Sequence, residues 1–264
     1  MRIALGLEFA GTPFTGWQSQ PDGRGVQDAL ERALQAIAGA KTGTIAAGRT
    51  DAGVHATLQV AHFDTDAVRP DSAWVRGVNA HLPPEIAVQW AKPVAVEFHA
   101  RFAASARHYS YVLANCPVRP ALLAGRVGWY HRPLDIAAMR EGAAALAGRH
   151  DFSAFRAAEC QAKTPVKTLA LIRIDAVGNH VRFDFSANAF LHHMIRNIVG
   201  ALIHVGAGKA EPSWIGQLLE GRDRTVAAPT FAADGLYFTG ADYDPAWNLP
   251  ATRRPLVLPF ARDD

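Results

Sequence analysis

Twice along the chain the hydrophobic period switches from two to about 3.6 and back, and this alternation of strand-type and helix-type segments restricts the fold more than any other feature. In RIALGLEF the apolar Ile3, Leu5, Leu7 and Phe9 share one side of an extended chain, the pattern of a half-buried strand. GVQDALERALQAIAG then carries Val26, Leu30, Leu34 and Ile37 at helical spacing, with Gly39 placed to end the helix. TLQVAHFD, IAVQWA and RHYSYVL return to alternation. The second half repeats the scheme: LDIAAMREGAAALAG predicts a helix with Asp135 as its cap and Ile136, Met139 and Leu146 inward, followed by strands in LALIRI and VRFDFSA. A last helix is predicted over NAFLHHMIRNIVGALIHV, residues 188–205, with Phe190, Met194, Ile198, Leu202 and Val205 as its inward stripe and Arg196 off it. The expectation is an α+β protein of two mixed α/β halves, residues 1–104 and 105–264, with AVEFHARFAAS as the crossover. The prolines of LPATRRPLVLPF forbid a long helix, so this tail is expected to lie extended.

With 264 residues, 49% of them apolar, the chain can bury a real core. No run reaches the roughly 18 uninterrupted apolar residues that a membrane helix needs, and MRIALGLEFA meets Glu8 before a signal-peptide core can develop. A soluble cytoplasmic protein is the expectation. Cys116 and Cys160 stand far apart, which argues against a disulfide framework and against zinc held by paired cysteines; both read as small buried hydrophobes. Lys plus Arg at 27 against Asp plus Glu at 24 gives a formal charge of +3, compatible with a polyanionic partner without demanding one. VGAGKA fails as a phosphate loop, because Ala210 stands where the magnesium-binding hydroxyl should be.

One stretch invites chemistry. AAGRTDAGVHA sets Asp51 between Gly48 and Gly53, with Arg49 ahead of it and His55 behind, between two strand-like segments. Glycines let such a loop turn sharply and let a ligand backbone approach. The plainer reading is that Asp51 caps a turn through its own side chain. Tyr109 and Tyr111 read equally well as core residues of a strand. His192 and His193 suggest a metal site with His55 or His62, but neighbours on a helix diverge by about 100° and do not converge on one ion.

Four segments, FAGTPFTGWQSQ, AGRTDAGVHA, FHARFAASARHYSYV and NAFLHHMIRNIVGAL, occur in an order and spacing that resemble the TruA family of tRNA pseudouridine synthases over nearly the whole chain. GRTDAGVHA is the specific one; GWQ or HHMIRN alone is weak. The resemblance implies the pseudouridine synthase fold, largely antiparallel sheets flanked by helices, and a catalytic cleft between the halves. It also implies conversion of uridine to pseudouridine at positions 38, 39 and 40 of the anticodon stem and loop, without cofactor or metal. In this family's pattern Asp51 is the nucleophile, Tyr109 stacks on the base, Arg196 pairs with the aspartate, and Arg49 helps hold the everted nucleotide. The partners it implies are tRNA and a second copy of the chain as a homodimer, and no membrane. Arg24 and Arg101 are candidate phosphate contacts. Two departures stand out: Leu58 precedes Gln59 where relatives often carry glycine, and His108 stands where lysine or arginine is common.

The chemistry gives separate reasons for these residue types. Cleaving a glycosidic bond leaves positive character on C1′, which an ionised carboxylate can meet by covalent addition or by removing a ribose proton. A guanidinium nearby favours the charged carboxylate. The target base must leave its stack at a cost of about a few kcal/mol, which a tyrosine face can offset. Two other readings compete: an RNA-binding module with a vestigial loop, and a metal-dependent nucleic-acid hydrolase built on the histidines.

Overall fold

The computed structural model describes residues 1–256. In chain order the elements are β1 (Arg2–Phe9), α1 (Val26–Ala38), β2 (Thr44–Ala46), β3 (His55–Asp64), a π-helical turn (Ala73–Gly77) running into α2 (Val78–His81), and β4 (Ile86–Val94). There follow β5 (Ala106–Asn115), β6 (Gly128–Tyr130), α3 (Ile136–Ala144), β7 (Gly148–Asp151), β8 (Val166–Val177), β9 (His180–Ala187), α4 (Met194–Gly206), α5 (Trp214–Gly221) and β10 (Leu236–Asp242).

Among the described residues the chain forms two compact units, Met1–Arg107 with Tyr237–Leu256, and His108–Leu236. A single break near residue 104, with everything after it in one half, differs from this at the far end. The chain returns to the first unit because β10 pairs in parallel with β3, Tyr237 opposite His55 and Phe238 opposite Ala56. A two-residue-period reading of sequence cannot foresee so distant a strand partner.

In the first unit the strand order is β4-β1-β3-β10, with β2 also on β3. β1 is antiparallel to both its neighbours. The expected half-buried β1 is buried on both sides: Ile3, Leu5 and Leu7 are inaccessible, and so is Ala4. The second side is lined by small residues, and a Cβ at Gly6 would fall 2.1 Å from the Trp90 indole nitrogen, so the missing side chain leaves room for that ring. The indole N–H in turn donates to the Ala251 carbonyl at 3.0 Å. α1 forms as its period predicts, burying Leu30 and Leu34; truncating either to alanine would cost about 2 to 5 kcal/mol. It starts where Asp28 accepts the Gly25 N–H at 2.9 Å and stops where Gly39 takes φ 75° and donates to the Gln35 carbonyl. The extended tail lies along β10: Ala241 donates to Thr252 and Arg254 to Thr239, at 3.1 and 2.9 Å. Residues 257–260 of that predicted segment lie outside the described residues.

In the second unit the order is β5-β9-β8-β7, with β6 parallel to β5. β8 and β9 form an antiparallel hairpin whose two-residue turn contains Gly178 at φ 52°. α3 begins as predicted, the Asp135 carboxylate accepting the Ala138 N–H at 2.9 Å, a cap worth about 1 kcal/mol. α4 departs from expectation. It starts at Met194, not at 188, and buries nearly its whole circumference, Ile195, Val199 and Ala201 included. Asn188 instead prolongs the pairing with β8: its backbone N–H donates to Thr168, and its side chain accepts from the Thr168 N–H at 3.0 Å. His193 then takes φ 60° to turn the chain into the helix. Gly200 and Gly206 let neighbours close in on α4, since a Cβ there would meet the Pro229 carbonyl at 2.3 Å and the Met139 sulfur at 2.5 Å. No helix among the described residues is long and apolar enough to cross a membrane.

Candidate functional site

Asp51 and Arg49 belong to the first unit, Tyr109 and Arg196 to the second.

Asp51 lies in the connection between β2 and β3. It opens a tight turn in which its carbonyl accepts the Val54 N–H at 3.1 Å. Gly53, third in that turn, has φ 79°, the left-handed value a type II turn needs there. Asp51 is half-buried, Thr50 buried and Arg49 exposed. The conformational freedom expected of both glycines is used at Gly53; Gly48 contributes its carbonyl, which accepts the Gln59 side-chain amide at 2.7 Å.

The loop is clamped from outside by FAGTPFTGW. Gly11 donates its N–H to His55 Nδ1 at 3.0 Å, and Trp17 donates to the Thr50 carbonyl at 2.9 Å. These approaches are too close for any side chain. A Cβ at Gly11 would sit 2.0 Å from the Val54 oxygen, and one at Gly16, whose φ is 103°, 2.7 Å from the Thr50 oxygen. Arg107 adds a further tie, donating to the Ala47 carbonyl at 3.3 and 3.4 Å and to Ala104 at 2.8 Å. The backbone that carries the Asp51 carboxylate is thereby held in place, as a group that must meet one defined atom of a bound molecule requires.

Gln59, Gly11 and Gly16 are not among the residues singled out by the sequence, and His55 is so only as a candidate metal ligand. The signal for the glycines is present in FAGTPFTGW, where two of them flank a short polar run after a strand, a mark of close backbone approach. Nothing in the alternation of β3 singles out Gln59, which is fully buried.

In the second unit Tyr109 has its ring edge-on to Phe190, centroids 5.1 Å apart, and keeps 9% of its surface exposed. Tyr111 is fully buried and donates to the Ala232 carbonyl at 3.0 Å. Burial drives its hydroxyl far above the usual tyrosine range, Asp234 adds to the rise and Arg196 opposes it; Tyr111 therefore stays neutral and supports the fold. Arg196 is half-buried, in the first turn of α4, and its Nε donates to the Phe231 carbonyl at 2.8 Å while the Phe231 N–H returns a bond at 3.2 Å. Next to it Asn197, buried, donates to Phe155 at 2.8 Å and accepts from Thr230 at 2.6 Å and Arg224 at 3.1 Å. That polar node pins residues 228–231 against the helix and so fixes the carbonyl that orients Arg196.

His192 and His193 do not diverge as neighbours on a helix would, because both precede α4 and their ring centroids are 4.0 Å apart. His55 and His62 are buried on β3, and each accepts a backbone N–H through Nδ1, from Gly11 and Ala100. Cys160 is buried as expected, whereas Cys116 is half-buried. Arg24 is paired with Asp22 of its own turn at 2.9 Å, both well exposed, a contact of little energetic weight.

A sequence profile described as tRNA pseudouridine synthase matches residues 7–103 and 143–244. The chain is 59% identical over 250 residues to tRNA pseudouridine synthase A of Dechloromonas aromatica (strain RCB), covering 95% of each. It is 62% identical over 252 residues to the protein of that name from Chromobacterium violaceum, covering 95% of this chain and 96% of the other. A third protein of that name, from Aromatoleum aromaticum, is 58% identical over 259 residues and 98% of both chains. On these matches the chain belongs to the tRNA pseudouridine synthase family.

Proposed function

We propose that the protein is a tRNA pseudouridine(38-40) synthase, an isomerase that converts uridine to pseudouridine at positions 38, 39 and 40 of the anticodon stem and loop. The observation that carries the reading is the Asp51 turn: a half-buried carboxylate fixed by Gly53 and by the Gly11 to Trp17 segment, in a chain matched to this family over most of its length.

In this reading the first unit supplies Asp51, which attacks C1′ or takes a ribose proton as the N-glycosidic bond breaks. The freed uracil turns and rejoins the ribose through C5, so no atom is gained or lost. The second unit supplies Tyr109, whose ring face stacks on the base, and Arg196, the guanidinium partner of Asp51. Arg49, exposed beside Asp51, holds the everted nucleotide. Neither cofactor nor metal enters the scheme. The protein works in the cytoplasm as a homodimer.

Purified protein incubated with an unmodified tRNA transcript is expected to place pseudouridine at positions 38 to 40, mapped by carbodiimide-dependent primer-extension stops. Absence of those stops at every one of the three sites, in a tRNA carrying uridine there, sinks the reading. Full activity after exhaustive chelation is the expected companion result, and sedimentation is expected to give twice the chain mass.

A further inference from the structure

Phe102 is the one phenylalanine, among the described residues, with most of its surface in water: 76% is exposed. The surrounding loop is nevertheless tied down by packing and hydrogen bonds. Phe98 at its start is fully buried among Tyr243, Trp247 and His62. Ala100 donates to His62 Nδ1 at 3.1 Å, and its carbonyl accepts the Tyr243 hydroxyl at 2.6 Å. Arg107 bonds the carbonyls of Arg101 and Ala104, and the same guanidinium reaches Ala47, at the foot of the Asp51 loop. The packing and hydrogen bonds around it fix where the ring sits, so a partner that stacks on it meets little ordering cost.

The ring's immediate neighbours say what it contacts. His99 stacks on it, centroids 4.2 Å apart and planes at 25°. His99 Nδ1 accepts the N–H groups of Arg101 and Phe102, both at 3.2 Å, so the imidazole needs its neutral form, and burial and nearby arginines lower its pKa in that direction. The Arg101 guanidinium carbon lies 5.7 Å from the Phe102 centroid. A largely exposed ring, with a second ring stacked behind it and a guanidinium 5.7 Å from its centre, brings together the elements that hold an unstacked base of single-stranded RNA, with positive charge to meet the adjoining phosphate.

We propose that Phe102, backed by His99 and flanked by Arg101, is a stacking platform for an unpaired nucleobase of the RNA substrate, tied through Arg107 to the loop that carries Asp51. The inference rests on the proposed tRNA activity and adds a binding subsite to it. The probe is an unmodified tRNA transcript with an anticodon arm, titrated against wild-type protein and the variants Phe102→Ala, Phe102→Leu and Phe102→Trp. The Ala and Leu variants are expected to weaken tRNA binding by about 5-fold to 100-fold, raising KM while kcat at saturation holds. Trp, which keeps the aromatic face, is expected to bind like wild type; Leu separates stacking from mere apolar contact. Wild-type affinity in the Ala and Leu variants overturns the platform, and so does rescue by Leu. A change in sedimentation of the Ala variant with tRNA affinity unchanged assigns Phe102 to contact between copies of the chain and overturns it equally. Pseudouridine formation by the wild type, measured in parallel, tells failure of the platform from failure of the underlying activity.

Discussion

β3 in the first unit and β9 in the second are both flanked by neighbouring strands and both carry buried polar side chains, yet they put them to opposite uses. On β3 each buried polar side chain reaches a loop: His55 takes the Gly11 N–H, Gln59 gives to the Gly48 carbonyl, and His62 takes the Ala100 N–H. On β9, Val181, Phe183 and Phe185 face the core, and the other side holds charge that ties strand to strand. There Asp184 accepts Arg182 and Arg173 at 2.9 Å each and the Ser110 hydroxyl at 2.5 Å. On β3, His55 and Gln59 position the segments around Asp51 and His62 the loop that starts at Phe98, whereas on β9 buried polarity cements the sheet. Substitutions on the first should disturb catalysis beyond their effect on stability, and those on the second stability alone.

The largest effect tests the centre of the arrangement. Asp51→Asn, nearly isosteric, is expected to lower single-turnover pseudouridine formation by at least about 10^3-fold, about 4 kcal/mol of barrier, with the melting temperature close to wild type. Unchanged turnover would leave the β3 loops with nothing to position.

Next comes pH. Burial, reinforced by Arg2, lowers the His62 imidazole to about 4, below its value in the unfolded chain. The neutral form is therefore the one the fold favours, and its contribution is complete above about pH 6.5 and lost as pH falls toward 4. The loss is expected to reach about 3 kcal/mol. Denaturant titrations at steps between pH 7 and 4 should show that slope in the wild type and a flatter one in His62→Gln, which keeps a hydrogen-bond acceptor without the titration. Equal slopes would remove His62 from the account.

Asp184→Asn keeps the shape and removes the charge from between two arginines. Because Arg173 and Arg182 are partly solvated, the cost is expected at about 1 to 3 kcal/mol, with kcat per folded molecule unaltered. A fall in kcat without a fall in stability would erase the contrast between the two strands. Gln59→Leu is the finest probe. It is expected to cost about 1 to 2 kcal/mol of stability and to lower kcat by about 10-fold or more through a looser Asp51 turn, leaving tRNA affinity near wild type. A purely stabilising residue would show the first effect without the second.

Much of this was readable in the sequence, and the reasons it fails elsewhere are physical. Local rules sufficed where the deciding interaction is local: Gly39 ends α1 by its left-handed backbone, and Asp135 caps α3 through its own carboxylate. They misled at residues 188–193, where Phe190 fits the helical stripe but Asn188 bonds to β8 and His193 turns left-handed, so the helix waits until Met194. The Asp51 turn was legible because glycine and aspartate have few other uses together. The role of Gln59 was not, since its partner is set by how β3 lies under the loop. For Tyr109 and Arg196 the family resemblance supplied the assignment, as neither strand nor helix period distinguishes them from core or surface residues.

The return of residues 237–256 to the first unit also orders events during synthesis. β3 has to wait for a strand made about 180 residues later, as its parallel contact with β10 spans His55 to Tyr237. Until then the His55–Ala56 end of that β3 edge, beyond the stretch paired with β2, lacks its strand partner, a surface prone to sticking to other chains. The Arg254–Glu8 ion pair, 2.6 Å across, joins the two distant stretches only once the later one has emerged, so the unit bearing the Asp51 loop is among the last to be completed.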